Sequence, residues 1–299
     1  MGSGKKVMIG CWYSMGLHMG LGRGPLDEIV QIDVGDKTAW VGHASGNAEF
    51  RIDQPSLFGG EKKEGGIVGA VKVLMGEAEQ PVHPGLARML RGSGEREASR
   101  RVPAFRGIAS VHYDGRLSAM TPYLKPWRFR ARRTGEGWEN GAWFPEKAAI
   151  WMGNGKIKAM NPAHILFQLY TDVGNGRGLP VSRIDDASFR AAAETLHAEG
   201  FGLCLKFSRQ ESIANFTQGV LDHIGGSVFV DRTTGKLKLK LIRNDADPEL
   251  LPAFDADSGL LAIEEFSSAA VSDGPSEIVV KFIDPEQNGE TRSVRHHLR

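Results

Sequence analysis

Residues 28–37 read EIVQIDVGDK, a short apolar run that ends in a turn. The run from Glu28 to Val34 alternates as a β-strand does, and residues 34–37 place Gly and Asp where a hairpin turn uses positive φ or side-chain capping. Glycines (38) and prolines (14) separate further runs of this kind, which favours strands and turns over helices. The further predicted strands are Ala48 to Ile52, Gly66 to Leu74, Gly107 to Tyr113 and Trp127 to Arg132.

Two stretches of this first half do not have a strand pattern. Residues 76–101 are rich in Gly, Arg, Glu and Ser and predict an extended surface excursion, with a short helix over Pro84 to Leu90. A glycine run predicts a backbone bend packed against a neighbour. It does not match the G-x-G-x-x-G spacing of a dinucleotide site, because Pro25 follows it and no helical pattern begins there. Its members are Gly16, Gly20, Gly22 and Gly24.

The pattern becomes helical at Asn161, an N-cap residue that is followed by Pro162 at the first helical position. A second helix is predicted from the acidic pair Asp185 and Asp186 to Gly200, which takes the C′ position. A third helix has the most complete signature. Its apolar stripe is Ile213, Phe216, Val220 and Ile224, and its capping box is Ser208 with Glu211.

Short β elements accompany these helices. A strand is predicted from Leu203 to Phe207, and a hairpin from Val228 to Val230, a turn over 231–235 and a return strand over 236–242. In the return strand leucines alternate with lysines, so one face is buried and the other faces water. Residues 161–245 therefore form a predicted α+β module.

Beyond residue 248 the pattern is β again, and the last strand ends near the final residue. The predicted strands are Ala262 to Phe266, Glu277 to Ile283 and Thr291 to His296, with a turn over 284–289. A strand at a terminus indicates that more chain or a neighbouring subunit completes its sheet. The predicted fold class is α+β, mainly β, with a first β domain over 1–160, the module over 161–245 and a second β region over 246–299.

The bulk numbers exclude several classes of protein. A length of 299 residues suits about two domains. The 37 Lys and Arg against 36 Asp and Glu leave a net charge of +1, which disfavours a nucleic-acid binder. Cys11 and Cys204 are too few and too far apart for a disulfide framework or a thiolate zinc site. No secretion signal and no membrane-spanning segment is predicted.

Motifs for catalysis are missing as well. The nine histidines are scattered, and His296 and His297, as neighbours on a strand, point to opposite faces. Neither an H-E-x-x-H nor a G-x-S-x-G motif occurs. The pairs Asp185-Asp186 and Glu264-Glu265 suit a helix start and a solvated strand edge. A glycosidase remains an alternative, because carboxylates that are distant in the sequence can meet in space. We predict no catalytic residue, no metal site and no cofactor.

The most unusual surface is predicted for residues 125–133, KPWRFRARR. At strand spacing Arg128, Arg130 and Arg132 share one face, and Trp127, Phe129 and Ala131 share the other. Interleaved arginines and aromatics bind single-stranded nucleic acid in some proteins. The alternative is an amphipathic strand whose arginines pair with acidic residues of the same or another subunit, and the neutral net charge favours it. We predict a subunit interface at Trp127, Arg128, Arg130 and Arg132.

Several of these segments, in this order, resemble tail proteins of long-tailed bacteriophages. In the first half they are YSMGLHMGLGRGPLDEIVQIDVGDKTAW (13–40), LFGGEKKEGGIVGAVKVLMG (57–76), VPAFRG (102–107) and PYLKPWRFRARR (122–133). In the module they are NPAHILFQLYTD (161–172), GLP (178–180), IDDASFRAAAETLHAEGFGL (184–203) and DRTTGKLKLKLIR (231–243). The module is also similar to tip attachment proteins of the J type and to the hub proteins of gene transfer agents.

The resemblance implies two β-barrel or sandwich hub domains with an inserted α+β module, assembled as a homotrimer with pseudo-sixfold character. It implies a structural virion protein, and not an enzyme, that is made in the host cytoplasm and placed at the tail tip. There the hub closes the tail tube and contacts the distal tail protein, the tape-measure protein and the tail fibre or spike proteins. Members of this family are generally longer, so the chain is expected to be a fragment or to work with a separate chain. A tail-associated hydrolase of cell wall or glycan is the alternative function.

Overall fold

The computed structural model describes residues 11–91, 102–135, 138, 141–206, 212–244, 247–252, 257, 274–284 and 290–298. Strands dominate, and all pairings between named strands are antiparallel. The predicted class, α+β and mainly β, is confirmed at this level. In the described part of the chain no sheet closes into a barrel. The chain forms two compact units, Met1–Ala148 and Ala149–Arg299.

The first unit is built from two sheets that share one apolar core. The strands are β1 (Trp12–Arg23), β2 (Glu28–Val34), β3 (Lys37–Ser45), β4 (Glu49–Gln54), β5 (Ile67–Leu74), β6 (Ile108–Ala119) and β7 (Trp127–Arg132), and the helices are α1 (Pro84–Arg91) and the single turn α2 (Pro145–Ala148). The strand orders of the two sheets are β1-β6-β5-β4 and β3-β2-β7, and buried residues of both sheets belong to the same hydrophobic cluster. The packing is therefore that of a β-sandwich.

Tyr113 lies at the centre of this core and is fully buried. Its ring centroid is 5.0 Å from that of Trp127 on the opposite sheet, and its hydroxyl donates to the Arg116 carbonyl at 2.6 Å. Cross-strand partners Gly69 and Gly115 leave the room it needs, since a Cβ at either would come within 3 Å of the hydroxyl. Burial raises the pKa of Tyr113, so its proton stays in that hydrogen bond.

The predicted hairpin over residues 28–37 is confirmed. Val34 pairs with Lys37 across a two-residue turn, and Gly35 has a φ of +63°. The side chain of Asp33 accepts from the Thr38 hydroxyl at 2.8 Å, which fixes the start of the return strand. The local pattern was sufficient here because the turn geometry and the strand alternation agree.

The glycine run forms the predicted bend only at its last member. Gly24 lies in a bend, and a Cβ there would come within 3 Å of the Met75 carbonyl and of Gly76 Cα; for the other three glycines the prediction of a bend is wrong. Residues 12–23 form β1, a strand of 12 residues that pairs with β6 along its length. The register shifts between Gly20 and Gly22, where Gly22 has a φ of +150°, so the glycines serve a β-bulge within the strand. The strand escaped sequence analysis because glycines at regular intervals remove the side chains that would alternate.

The surface excursion predicted over residues 76–101 begins with a segment that is held by hydrogen bonds to Gln80, and a short helix follows. Gln80 is fully buried; its carbonyl oxygen Oε1 accepts from the Gly76 N–H at 2.8 Å, and its amide donates to the Ala104 carbonyl. Arg106 Nε donates to the Gln80 backbone carbonyl at 3.1 Å. The helix predicted over Pro84 to Leu90 is α1 and is confirmed. Residues 92–101 of the predicted excursion lie outside the described residues.

Among its described residues, the second unit contains three α-helices and three two-stranded sheets. The elements are β8 (Ala149–Met152), β9 (Ile157–Met160), α3 (Pro162–Thr171), α4 (Asp186–Ala198), α5 (Ile213–Ile224), β10 (Gly226–Val230), β11 (Leu237–Leu241), β12 (Glu277–Asp284) and β13 (Glu290–His297). Helix α4 packs on α3 and on β11, and α5 packs on α3 and β10. The two predicted terminal strands are thus present, whereas Ala262 to Phe266 and the turn over 285–289 lie outside the described residues.

The helix ends follow their local signals. Asp185 caps α4 by accepting from the Ser188 N–H, and Gly200, just past that helix, has a φ of +67°. Ser212 caps α5, while the predicted capping pair Ser208 and Glu211 lies outside the described residues.

The strand predicted from Leu203 to Phe207 is not formed. Only Leu203 pairs, in a single bridge to Met160, and residues 204–206 have no strand structure; Phe207 lies outside the described residues. Because β9 ends at Met160, it has no further residues with which a strand beyond Leu203 could pair.

Asn161 joins two helices through one buried side chain. Its Oδ1 accepts from the Ala163 N–H at 3.0 Å, and its Nδ2 donates to the Ala193 carbonyl in α4 at 2.8 Å. Asn161 is fully buried, so neither bond is replaced by water when the side chain is cut back.

We expect Asn161→Ala to lower the free energy of unfolding by about 2–4 kcal/mol, through loss of the cap and of the bond to α4. Asn161→Asp keeps the cap acceptor and loses the donor, so it separates the two contributions. Ser212→Ala is the matched control, because its cap is exposed and should cost only about 1 kcal/mol. Urea denaturation followed by far-UV circular dichroism measures all three. Equal losses for Asn161→Ala and Ser212→Ala would contradict the linking role.

Candidate subunit interface

Strand β7 carries the residues predicted for the interface and is an edge strand of the β3-β2-β7 sheet. Trp127 and Phe129 are half-buried and pack against the core cluster. Arg128 and Arg130 are exposed, as the predicted alternation requires. Ala131, predicted for the apolar face, is exposed. The strand therefore has an anchored aromatic side and a basic outer side.

Arg132 is engaged within the chain. Its Nη1 lies 2.7 Å from Glu28 Oε1, and both side chains are only 16% exposed. His43 Nδ1 lies 2.8 Å from the other carboxylate oxygen of Glu28. Burial opposes ionisation of Glu28, but hydrogen bonds from His43 and Arg132 outweigh it and lower the pKa of that carboxyl. The arginine-to-acid pairing weighed from the sequence is thus intramolecular at this position.

The outer face of this sheet is polar with one apolar protrusion. Arg128 Nη2 donates to the Gly35 carbonyl at 2.9 Å, which holds the guanidinium over the β2–β3 turn. In the centre of the sheet the side chains of Gln31, Asp33 and Thr38 are linked by hydrogen bonds. Val41 on β3 is 71% exposed. A surface of this composition matches the rim of a protein interface better than its centre.

The hairpin of β12 and β13 offers an apolar face that sequence analysis did not single out. Residues opposite in register share a face, so Val280 and its partner Val294 lie on the same side as Ile278 and Phe282. All four are exposed, at 56%, 59%, 44% and 36% respectively. The alternation of residues 278–282 was the available signal in the sequence. It served to predict the strand, but it was not used to predict an exposed apolar face.

Ion pairs mark the two faces of this hairpin. On the apolar face Arg292 Nη1 lies 2.9 Å from Asp284 Oδ2, at the end of the strand pair. On the other face Arg295 Nε lies 3.7 Å from Glu277 Oε1, beside Val279 and Ile283. The charged pairs thus lie beside the apolar residues and leave the four-residue patch continuous.

The described residues hold no group of three or more His, Cys, Asp and Glu side chains suited to a metal ion. Cys11 and Cys204 are exposed thiols. Among the helices that the structure describes, none has the length and apolar character needed to cross a membrane. His296 and His297 are both exposed on β13.

No protein-family model matches the sequence, and no curated protein matches it at a significant level. The resemblance to phage tail proteins therefore stays a prediction from the sequence segments. The interface role of β7 also stays a prediction.

We expect Arg132→Gln to lower the free energy of unfolding by about 1–3 kcal/mol, because it leaves the Glu28 carboxylate without its main cationic partner. Arg128→Gln is the matched control on the same strand and should change stability by about 0.5 kcal/mol or less, since its hydrogen bond to the Gly35 carbonyl is exposed to water. Thermal denaturation of both variants measures the difference.

The loss caused by Arg132→Gln should also depend on pH. The pKa of folded Glu28 is lowered, so its contribution is present above the ordinary carboxyl pKa and is lost as the pH falls through the folded value. The two variants should therefore converge in acid. An equal stability loss at all pH values would contradict the ion pair as its cause.

Proposed function

We propose that this protein is a structural virion component that acts as the central hub of a phage tail tip. In this role three copies form a ring that closes the tail tube and joins the distal tail ring to fibres or a spike. The ordered resemblance of many segments along the chain supports the proposal. The mainly β architecture agrees with it but is shared by many other proteins.

The observation that carries the self-association part of the proposal is the exposed apolar face of the β12–β13 hairpin. Single two-stranded hairpins are marginally stable in water and need a packed face. Four adjacent apolar side chains on this face are each at least 36% exposed, and exposed apolar patches of this kind mark association sites. A ring of identical subunits would bury the patch against a different surface of the next copy.

The β7 surface suits a second, more polar contact. A closed ring requires two complementary patches on each subunit. The exposed Arg128 and Arg130 offer positive charge that an acidic surface of a neighbouring copy, or of the distal tail protein, would complement. Arg132 stays part of the predicted interface, and its guanidinium already contacts Glu28 within the chain.

We expect Val280→Lys to abolish the trimer, because it places a charge at the centre of the apolar face. Ile283→Lys is the matched control: it makes the same kind of change on the same strand, on the opposite face, where Ile283 is 70% exposed. Light scattering on a sizing column, across a concentration series, measures the mass of each variant. A wild-type trimer that survives Val280→Lys would contradict the hairpin as the interface. A wild-type monomer at every concentration, also when mixed with the distal tail protein, would contradict the hub itself.

We expect the double change Arg128→Glu and Arg130→Glu to weaken assembly and leave the fold intact, since both side chains are exposed. Circular dichroism checks the fold, and light scattering with and without the distal tail protein checks assembly. The double change Lys236→Glu and Lys240→Glu, on exposed residues of the other unit, controls for the change in net charge. Equal effects of the two double changes would remove β7 from the interface.

A further inference from the structure

A row of polar side chains crosses the first sheet on the side away from the core. His18 on β1 lies opposite His112 on β6, His112 lies opposite Lys72 on β5, and Lys72 lies opposite Glu49 on β4. Residues opposite in register share a face, so the row is continuous over all four strands. Lys72 Nζ is 3.2 Å from Glu49 Oε1, which joins two of its members.

Helix α1 lies on this row. A Cβ added to Gly85 would be 3.3 Å from His112 Cε1, and one added to Gly16 would be 3.0 Å from Met89 Sδ. Leu86 is 1% exposed. The start of the helix therefore rests on the His112 ring, and its later turn rests on β1. Glycine at both positions permits this close approach.

A third histidine caps the N-terminus of α1. His83 immediately precedes α1, and its Nδ1 accepts from the Leu86 N–H at 3.3 Å, which is the bond of an N-cap. Its ring centroid is 5.4 Å from that of His112, and its Nε2 is 3.4 Å from Glu49 Oε1. Since the backbone N–H is always the donor, this cap exists only while Nδ1 of His83 carries no proton.

The two sheet histidines are shielded from water. His112 is 6% exposed, and His18 packs edge-on against Phe105 with ring centroids 4.5 Å apart. The buried Nε2 of His18 and the buried hydroxyl of Ser110 have no hydrogen-bond partner among the described residues. A proton added here would create a charge with little solvation.

The charges around the row compensate such a proton only in part. Burial lowers the pKa of His112 most and the neighbouring His83 lowers it next; Asp114 raises it by more than His18 lowers it, and the net shift is downward. Burial also lowers the pKa of His18 from its ordinary value of 6.5. The bond from Lys72 lowers the pKa of Glu49, so that carboxylate remains ionised in weak acid. The charged groups on the same face of the sheet are Lys72, Glu49 and Asp114, and His83 faces the row from the start of α1.

We propose that the histidine layer formed by His18, His83 and His112 is an acid-sensitive latch that holds α1 on the sheet at neutral pH and releases it below about pH 6. A proton on Nδ1 of His83 would remove the cap acceptor. Protons on His112 and His18 would place two cations opposite each other, with Lys72 next to His112, beneath the attached helix. Detachment of α1 exposes the row to water, which hydrates the histidine cations, and it also ends the need for a cap at His83. The latch does not depend on the proposed hub function, because it involves the first unit alone.

The direction of the pH dependence follows from the number of protons that the attached and detached states bind. The detached state has ordinary histidine pKa values, and the attached state has lowered ones at His18 and His112, so the detached state binds more protons below about pH 6.5. Attachment is therefore complete at higher pH and weakens as the pH falls below the ordinary histidine value. Each histidine that is neutral only when attached changes the attachment equilibrium by about tenfold per pH unit in this range.

Hydrogen–deuterium exchange of the full chain at about pH 7.5 and about pH 5.5 tests the latch, with exchange expressed as protection relative to the free peptide at each pH. We expect protection in residues 84–91 to fall by at least about tenfold in acid, while α4 in the other unit keeps its protection. His83→Asn retains an N-cap acceptor that cannot take a proton, and should preserve part of the protection in acid. His112→Gln should preserve more.

His296→Asn is the control, because it removes an exposed histidine of the other unit. It should leave the loss in acid unchanged. Equal protection of residues 84–91 at both pH values in the wild type overturns the latch. The latch is also overturned if residues 84–91 lose as much protection in acid in His83→Asn and His112→Gln as they do in the wild type. If His112→Gln fails to fold, His83→Asn and His18→Gln decide the outcome alone.

Discussion

The first unit depends on the apolar contact between its two sheets, with Tyr113 at the centre. A fully buried phenol is stable only when its hydroxyl has a hydrogen-bond partner, and the Arg116 carbonyl supplies it. Room for that hydroxyl comes from Gly69 and Gly115, which face each other across β5 and β6. Trp127 closes the contact from the opposite sheet. Strand β7 is thereby held in place, with its arginines turned outward.

The same sheet carries a different chemistry on its other side. Because neighbouring residues on a strand face opposite ways, Tyr113 belongs to the core and His112 belongs to the polar row under α1. The helix is short and rests on the His112 ring, so it is the element whose attachment a change in charge can shift. Gln80, by contrast, fixes the base of the excursion through hydrogen bonds of its side-chain amide and its backbone carbonyl, none of which involves a histidine.

Association surfaces lie where the folding of a single chain leaves apolar side chains exposed. The patch around Val280 and Val294 is of this kind, and the basic side of β7 is the polar counterpart in the other unit. The proposed ring of identical copies would bury both surfaces. The exposed patch is also a liability for aggregation in any copy that remains unassembled.

Local sequence determined the elements whose signals lie within a few residues: the hairpin at 28–37, strand β7, the caps at Asn161 and Asp185, and the alternation in 236–242. It failed for β1, where glycines hide the strand period, and for Leu203 to Phe207, where only the end of β9 offers a partner. The pairing of Arg132 with Glu28, and the meeting of His18, His83 and His112, were decided by tertiary structure. Strand register sets the first and places His18 opposite His112, while the packing of α1 adds His83. Both bring together residues that are distant in the chain, and neither can be read from a local pattern.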